Sequence, residues 1–369
     1  MREVCMPELP RPSAAAQRTK DYHPPLGSRD GVRLDFNENT FACSPKVLEV
    51  LGDVSRAALT KYPEREPVER LVATRLGLDA AQVLLTNGVD EAIHVICQAY
   101  LDADDEFLLP VPTYSMYEVY GSATEAKMIS VQAGSDFSFP MDALLNKISP
   151  ATKLIAIANP NSPTGSITGR EAIQRILEQA PQAIVLVDEA YYHFYGQTVL
   201  DLIGRVPNLM VTRTFSKAYG LAGLRLGMLA ASAEQMQWLR RMISPYSVNG
   251  LALACLPAAL EDESYINWYV HEALRGRAEF IDALQRLQVP YWPSEANFIL
   301  IKIGMKHREF VAAMRRRNVL VRDRSNDPGC DGCVRITIGV QEHNHQGVEA
   351  LKESLAEIGW RPDEVKAGD

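Results

Sequence analysis

Cysteine is scarce in this chain and nowhere concentrated. Six occur in 369 residues: Cys5, Cys43, Cys97, Cys255, Cys330 and Cys333. So low a density excludes a disulfide-stapled secreted scaffold and fits a reducing compartment. Cys330 and Cys333 have redox or zinc spacing. No second pair completes a zinc site, and no βαβ context marks a thioredoxin-like motif. His343 and His345 sit in a polar stretch and read as surface residues, so no metal is expected. Apolar runs long enough to span a membrane are missing. Met1 to Pro7 lack the apolar core of a secretory signal, so a cytoplasmic protein is expected. Positive charge is not in excess. The formal net charge of -8 argues against nucleic acid or an anionic membrane as partner. Internal repeats and low-complexity segments are also lacking.

Apolar residues are plentiful. They make up 47% of the chain, enough for two domains with buried cores. Residues 1–32 are rich in Pro, Ser, Arg and Gly and read as an extended arm rather than a folded element. Beyond them, strand-like runs such as Phe107–Leu109 and Leu154–Ala158 alternate with helical spacing, as over Glu171–Gln179. This alternation predicts an α/β domain with a mostly parallel sheet covered on both faces. Ala233–Met242 and Ser264–Leu287 read as long helices, the second bridging domains. After Pro290, strands at Phe298–Ile301, Val319–Val321 and Val334–Ile338 and a helix around Arg308–Arg317 predict a smaller α+β unit. The expected boundaries are an arm over 1–32, a large domain over 33–255 and a small domain over 256–369.

The most informative segment runs from Thr214 to Arg225. A strand end, Asn208–Val211, leads into Ser216-Lys217 and a glycine-rich stretch. A lone lysine is usually a solvated charge. This one lies between an aromatic residue and an apolar, Gly-broken turn, where burial favours a neutral amine. A neutral amine can form a Schiff base with an aldehyde cofactor. Ser216 and Arg225 suit that cofactor's phosphate, by hydroxyl and by guanidinium fork. Upstream, Ala183–Val187 runs into Asp188, as in a buried parallel strand whose end faces a crevice. A carboxylate there needs a partner. A pyridinium nitrogen would be one, with Tyr191 on the ring's phenolic oxygen; the alternative for Asp188 is a helix N-cap. In Leu84–Ile93, Gly88 allows close backbone approach and a helix starts near Val89. The amides of Gly88, Val89 and Asp90 can then seat a phosphate. The alternative is an ordinary βα loop.

In this order, Asn87–Glu91, Asn159–Gly165, Asp188–Tyr191 and Ser216-Lys217 with Arg225 resemble the class I/II aminotransferases. Nearly the whole chain is covered. Further pieces are similar to the histidinol-phosphate branch of that family: Leu34–Asn39, Lys61–Pro63, Pro112–Tyr117, Arg213–Lys217, Pro245–Asn249, Ala296–Phe298, Leu320–Asp323 and Val334–Gly339. The resemblance implies the aspartate-aminotransferase fold (fold type I of the pyridoxal-phosphate enzymes). It implies pyridoxal 5′-phosphate as cofactor and a homodimer whose two subunits build each active site. The implied reaction moves the amino group of histidinol phosphate to 2-oxoglutarate, giving glutamate. An aromatic amino-acid transaminase and a phosphothreonine decarboxylase of cobalamin synthesis are the alternatives within the family. A non-enzymatic regulator is the alternative outside it, although no cofactor-binding group is lost.

The same resemblance implies that Tyr114 stacks on the pyridine ring and that Tyr62 reaches the neighbouring subunit's phosphate. Their alternatives are a core aromatic and a tyrosine packed in a turn before Pro63. The family usually has Asn directly before Pro-Thr-Gly, where this chain has Ser162. Asn161 or the Ser162 hydroxyl is then expected to reach the ring oxygen, with Asn161 the named candidate. Arg335 and Arg322 are implied as the substrate's anion binders, with an ion pair to Asp323 as the alternative for Arg322. Tyr22, Asn39, Tyr246 and Asn249 match positions that line the substrate pocket. Lys217, Asp188 and Tyr191 are the implied catalytic residues.

Overall fold

The computed structural model describes residues 11–19, 21 and 28–366. Its strands are β1 (Val32–Leu34), β2 (Val83–Asn87), β3 (Glu106–Val111), β4 (Lys127–Gln132), β5 (Thr152–Ala158) and β6 (Ile184–Asp188). They continue with β7 (Leu209–Thr214), β8 (Leu226–Ala230), β9 (Tyr291–Trp292), β10 (Phe298–Lys302), β11 (Val319–Asp323) and β12 (Cys333–Thr337). A seven-stranded sheet has the order β2-β8-β7-β6-β5-β3-β4. Only β8 runs against its neighbours; the other pairings are parallel. Strands β6, β7 and β8 are buried at every position, because helices cover both faces and neither needs polar residues. Val185, Val187, Leu209 and Val211 pack to one side and Ile184, Leu186 and Met210 to the other, the two-residue alternation of a pleated strand.

The second sheet has the order β1-β11-β12-β10-β9. It is mixed: β1 is parallel to β11, and the other pairs are antiparallel. Phe280, Leu284, Phe310, Met314, Leu351 and Leu355 fill the space between this sheet and its helices. The helix Glu263–Arg286 joins the two units, as its length predicts. Near its start Ile266 and Tyr269 pack with Tyr191, Phe194 and Ala218, while Phe280 and Leu284 near its end belong to the smaller core.

Two expectations change. The arm is not wholly extended, since Ala14–Arg18 is helical, with Ser13 accepting the Ala16 amide. A serine cap ahead of three alanines is a strong local helix start. The boundary at 255 cuts through the helix Gly250–Glu261. Ala252, Leu253, Cys255, Leu256, Ala259 and Leu260 all pack into the core of the larger sheet. We therefore place the boundary after Glu261. Strand β1 belongs to the smaller sheet although it extends past residue 32.

Candidate active site

The C-terminal ends of the parallel strands open on a cleft of about 330 Å³ that holds the predicted chemistry. Val89, Asp90, Tyr114, Asp188, Tyr191, Ser216, Lys217 and Arg225 all line it. They come from separate loops, at β2, β3, β6 and β7, which the parallel sheet gathers at one edge.

Lys217 Nζ donates to the Phe36 carbonyl at 2.8 Å and lies 6.0 Å from the Tyr191 ring centroid. A carbonyl oxygen leaves the amine's nitrogen directed by a single acceptor rather than locked in an ion pair. Asp188 is buried at the end of β6. It accepts from Tyr117 Oη at 2.7 Å, Thr212 Oγ1 at 3.0 Å and the Ala190 amide at 3.1 Å. All three donors are neutral. Burial dominates over them and pushes the carboxyl up to about 6. Burial and the Asp188 carboxylate together push the Tyr117 phenol well up, so it remains a donor. Asp188 does not cap a helix: the next one starts at Tyr192, with Tyr191 in the capping position.

At the opposite wall the helix Gly88–Tyr100 begins without a side-chain cap. Its first amides are free of intrahelical partners. Gly88 has φ +74°, and a Cβ there would lie 2.5 Å from the Arg225 guanidinium. The glycine thus lets Arg225 close over the helix start. Asp90 orients that guanidinium at 3.0 Å and also accepts Tyr114 Oη at 2.7 Å. The parts fit a pyridoxal phosphate. The helix's first amides, Ser216 and Arg225 suit its phosphate, a buried carboxylate without a cationic neighbour among the described residues suits its ring nitrogen, and Lys217 suits its aldehyde.

Arg335 lies on β12 with Arg322 directly opposite on β11. Like charges facing across strands are destabilising, and the Asp327 carboxylate adds an attractive charge to both. Arg335 is buried and donates to Ser162 Oγ at 2.9 Å and the Asp35 carbonyl at 2.8 Å. Its Nε has no hydrogen-bond partner among the described residues. Burial first, then Arg324, push it down to about 10, so it stays charged at neutral pH. Asp323, named as the alternative partner of Arg322, binds His307 at 2.9 Å and Ser325 at 2.5 Å. The Arg322 guanidinium carbon lies 5.2 Å from the Phe36 ring centroid.

The assignments of Asn161, Asn249 and Asn39 need correction. Asn161 does not reach into the cleft: its amide is consumed by Pro112 O at 2.9 Å, Thr164 Oγ1 at 2.8 Å and Thr113 Oγ1 at 2.8 Å. Ser162 lines the cleft in its place. Asn249 caps the helix Gly250–Glu261 through Ala252 N at 2.8 Å and donates to Leu224 O at 3.0 Å, so its amide is spent on backbone. Asn39 donates to Ala218 O at 3.2 Å and lines a neighbouring polar hollow. Tyr62 and Tyr246 stack on each other at 4.4 Å, exposed and away from this subunit's cleft. Tyr22 lies outside the described residues. Cys330 and Cys333 are buried with Phe137 and Leu300.

The sequence reading missed Asn37 and Tyr117. Asn37 is buried and donates to Tyr191 Oη at 2.8 Å. Its φ of +55° turns its side chain inward, and Thr337 Oγ1 holds its amide at 2.9 Å. Asparagine's tolerance of the left-handed region was the available signal. Tyr117 lies in the first turn of the helix Met116–Ser122, three residues beyond Tyr114, and the two rings meet edge to face at 5.9 Å.

The family description "Aminotransferase class I and II" matches residues 29–351. A histidinol-phosphate aminotransferase from Caldanaerobacter subterraneus subsp. tengcongensis is 34% identical over 336 residues, covering 88% of this chain and 93% of that protein. Among solved structures, the histidinol-phosphate aminotransferase of Sinorhizobium meliloti in complex with pyridoxal-5′-phosphate superposes with a TM-score of 0.83 at 21% identity, covering 95% and 99% of the two chains. The L-threonine-O-3-phosphate decarboxylase of Porphyromonas gingivalis does so at 0.78 and 26%, covering 88% and 99%. The fold is the aspartate-aminotransferase type.

Proposed function

This chain belongs to the class I and II aminotransferases, and from that premise we propose that it transfers the amino group of L-histidinol phosphate to 2-oxoglutarate. The products are imidazole-acetol phosphate and glutamate, in histidine biosynthesis. The observation that carries the substrate is Arg335, buried opposite Arg322 with an Nε that has no hydrogen-bond partner among the described residues. That pair fits an anionic group such as the donor's phosphate. The relatives at 34% identity are histidinol-phosphate aminotransferases, which favours this reading over an aromatic transaminase or a phosphothreonine decarboxylase. Steady-state kinetics with histidinol phosphate, phenylalanine and phosphothreonine test it. Histidinol phosphate should give the highest kcat/KM, and a preference for either of the others would overturn the assignment.

Pyridoxal 5′-phosphate, the family's cofactor, supplies an electron sink when bound. The chain's own groups do the rest. The amides of Gly88, Val89 and Asp90, with Ser216 and Arg225, would hold the phosphate. Tyr114 would pack against the ring. Asp188, braced by Tyr117 and Thr212, would balance positive charge at the ring nitrogen. Tyr191, oriented by Asn37, would bind the ring oxygen. Lys217 Nζ takes the proton from the substrate carbon that bears the nitrogen. Arg335 and Arg322 hold the anion so that this carbon faces Lys217, and Ser162 fixes the Arg335 fork.

Arg335→Ala should lower kcat/KM in both half-reactions by roughly ten- to a hundredfold, the effect of one charge-assisted bond. Arg335→Lys should rescue only in part, since an ammonium lacks the fork. Stopped-flow traces of each half-reaction read this out. Normal handling of histidinol phosphate by Arg335→Ala would place its phosphate elsewhere and favour the aromatic alternative.

The working form proposed is a cytoplasmic homodimer. Tyr62 is 78% exposed beside Tyr246 at 54%, an aromatic pair suited to a partner's site. Tyr62→Ala and Lys217→Ala should each be impaired, yet mixing and re-associating them should recover about a quarter of wild-type activity. Half of randomly paired dimers are hybrids, each with one intact shared site. No recovery in hybrids of confirmed composition would refute the sharing.

A further inference from the structure

We infer that Arg29 and Glu38 form a substrate-discriminating pair. Glu38 accepts an N–H of the donor's imidazole ring, and Arg29 takes the distal carboxylate of glutamate or 2-oxoglutarate. This rests on the proposed pair of substrates. Both half-reactions use one cleft, so groups of different charge must occupy the same end of it. A single fixed charge favours one and repels the other.

The segment 35–38 crosses the cleft. At one end the Asp35 carbonyl accepts Arg335 Nη2 at 2.8 Å, and next to it the Phe36 carbonyl accepts Lys217 Nζ at 2.8 Å. Glu38 follows and lines the cleft together with Arg29. Three residues of chain reach up to ~10 Å. A substrate with its anion on Arg335 and its reacting carbon at Lys217 therefore directs its remaining group toward Glu38 and Arg29.

The contact between the two is suited to exchange. Arg29 Nη2 is 2.7 Å from Asp35 Oδ1 but 3.3 Å from Glu38 Oε2. Its guanidinium carbon lies 4.0 Å from the Phe36 ring centroid. Arg29 is thus held by Asp35 and Phe36 whatever Glu38 does, and its Nε has no partner among the described residues. Glu38 in turn keeps Arg33 at 2.5 Å. A ring N–H can replace Arg29 on Glu38, and a substrate carboxylate can replace Glu38 on Arg29. Neither exchange strands a charge.

The test is stopped-flow of the holoenzyme with histidinol phosphate and with glutamate, for wild type, Glu38→Gln and Arg29→Gln. The selectivity ratio, histidinol phosphate over glutamate, should fall about tenfold in Glu38→Gln and rise about tenfold in Arg29→Gln. The change should lie in the apparent binding constants rather than the limiting rates. Arg29→Lys, which keeps the charge, should return the ratio part of the way and covers the case in which Arg29→Gln folds poorly. Equal changes with both substrates, or a ratio moving the other way, would overturn the inference and leave the pair as a loop brace. If the wild type itself does not react with histidinol phosphate, the proposed function fails first and this inference with it.

Discussion

Lys217→Ala should lose at least ~10⁴-fold in turnover, because two functions disappear together. Positioned proton transfer alone is worth roughly 10²–10⁴-fold, and the covalent link to the cofactor is lost as well. The variant should still hold pyridoxal phosphate, since the proposed anion site at Gly88, Ser216 and Arg225 does not depend on the lysine. Borohydride reduction and peptide mapping should fix the cofactor to Lys217 in the wild type and to no lysine in the variant. A label on another lysine would remove Lys217 from its role. The geometry behind this is the Lys217 Nζ contact with the Phe36 carbonyl at 2.8 Å, which aims the amine into the cleft.

Asp188→Asn should lower turnover by at least ~10²-fold, the scale seen when a preorganised electrostatic group is removed. An amide cannot balance a pyridinium charge. The same substitution makes an opposite prediction for the cofactor-free protein. Burial raises the Asp188 carboxyl to about 6, so the folded chain holds that proton more tightly than the unfolded chain. The stabilising contribution of the protonated group is complete below the ordinary carboxylate value of ~4. It declines as pH rises to about 6 and is absent above. At pH 8 the buried charge costs on the order of 3 kcal/mol without the cofactor. Cofactor-free Asp188→Asn should therefore melt higher than cofactor-free wild type at pH 8, with the gap closing near pH 4. With cofactor bound, the wild type should gain more. Equal melting at every pH, with activity unchanged, would leave Asp188 as a structural acceptor only.

Residues whose placement depends on their position along one element were legible. Asp188 and Lys217 follow apolar runs and line the cleft, since a strand end beside a helix start is a local pattern with a local consequence. The same holds for Gly88 and for the alternating strands of both sheets. Residues whose roles depend on side-chain direction were not. Asn161 and Ser162 are adjacent, and a loop sends them to different sides; the resemblance suggested Asn161, and the fold turned it into the loop's own hydrogen bonds. Asn37 and Asn39 are two apart, and a left-handed φ at Asn37 decides which of them reaches Tyr191. Asn249 directly precedes a helix, where capping is the ordinary use of asparagine, and it does cap.

The sequence by itself determined the fold class, the family and the cofactor, and it singled out the lysine proposed to hold it. Hydrophobic period and strand-end chemistry are short-range properties, and the ordered motifs record them directly. Only the tertiary structure decided which side chains meet around the cleft. Arg335 meets Asp35 O and Ser162 across 300 and 173 positions of chain, and Tyr191 meets Asn37 across 154. Such pairs are set by how the smaller sheet docks on the edge of the larger. No local pattern carries that docking, because it depends on the packing of whole elements rather than on the residues next in line.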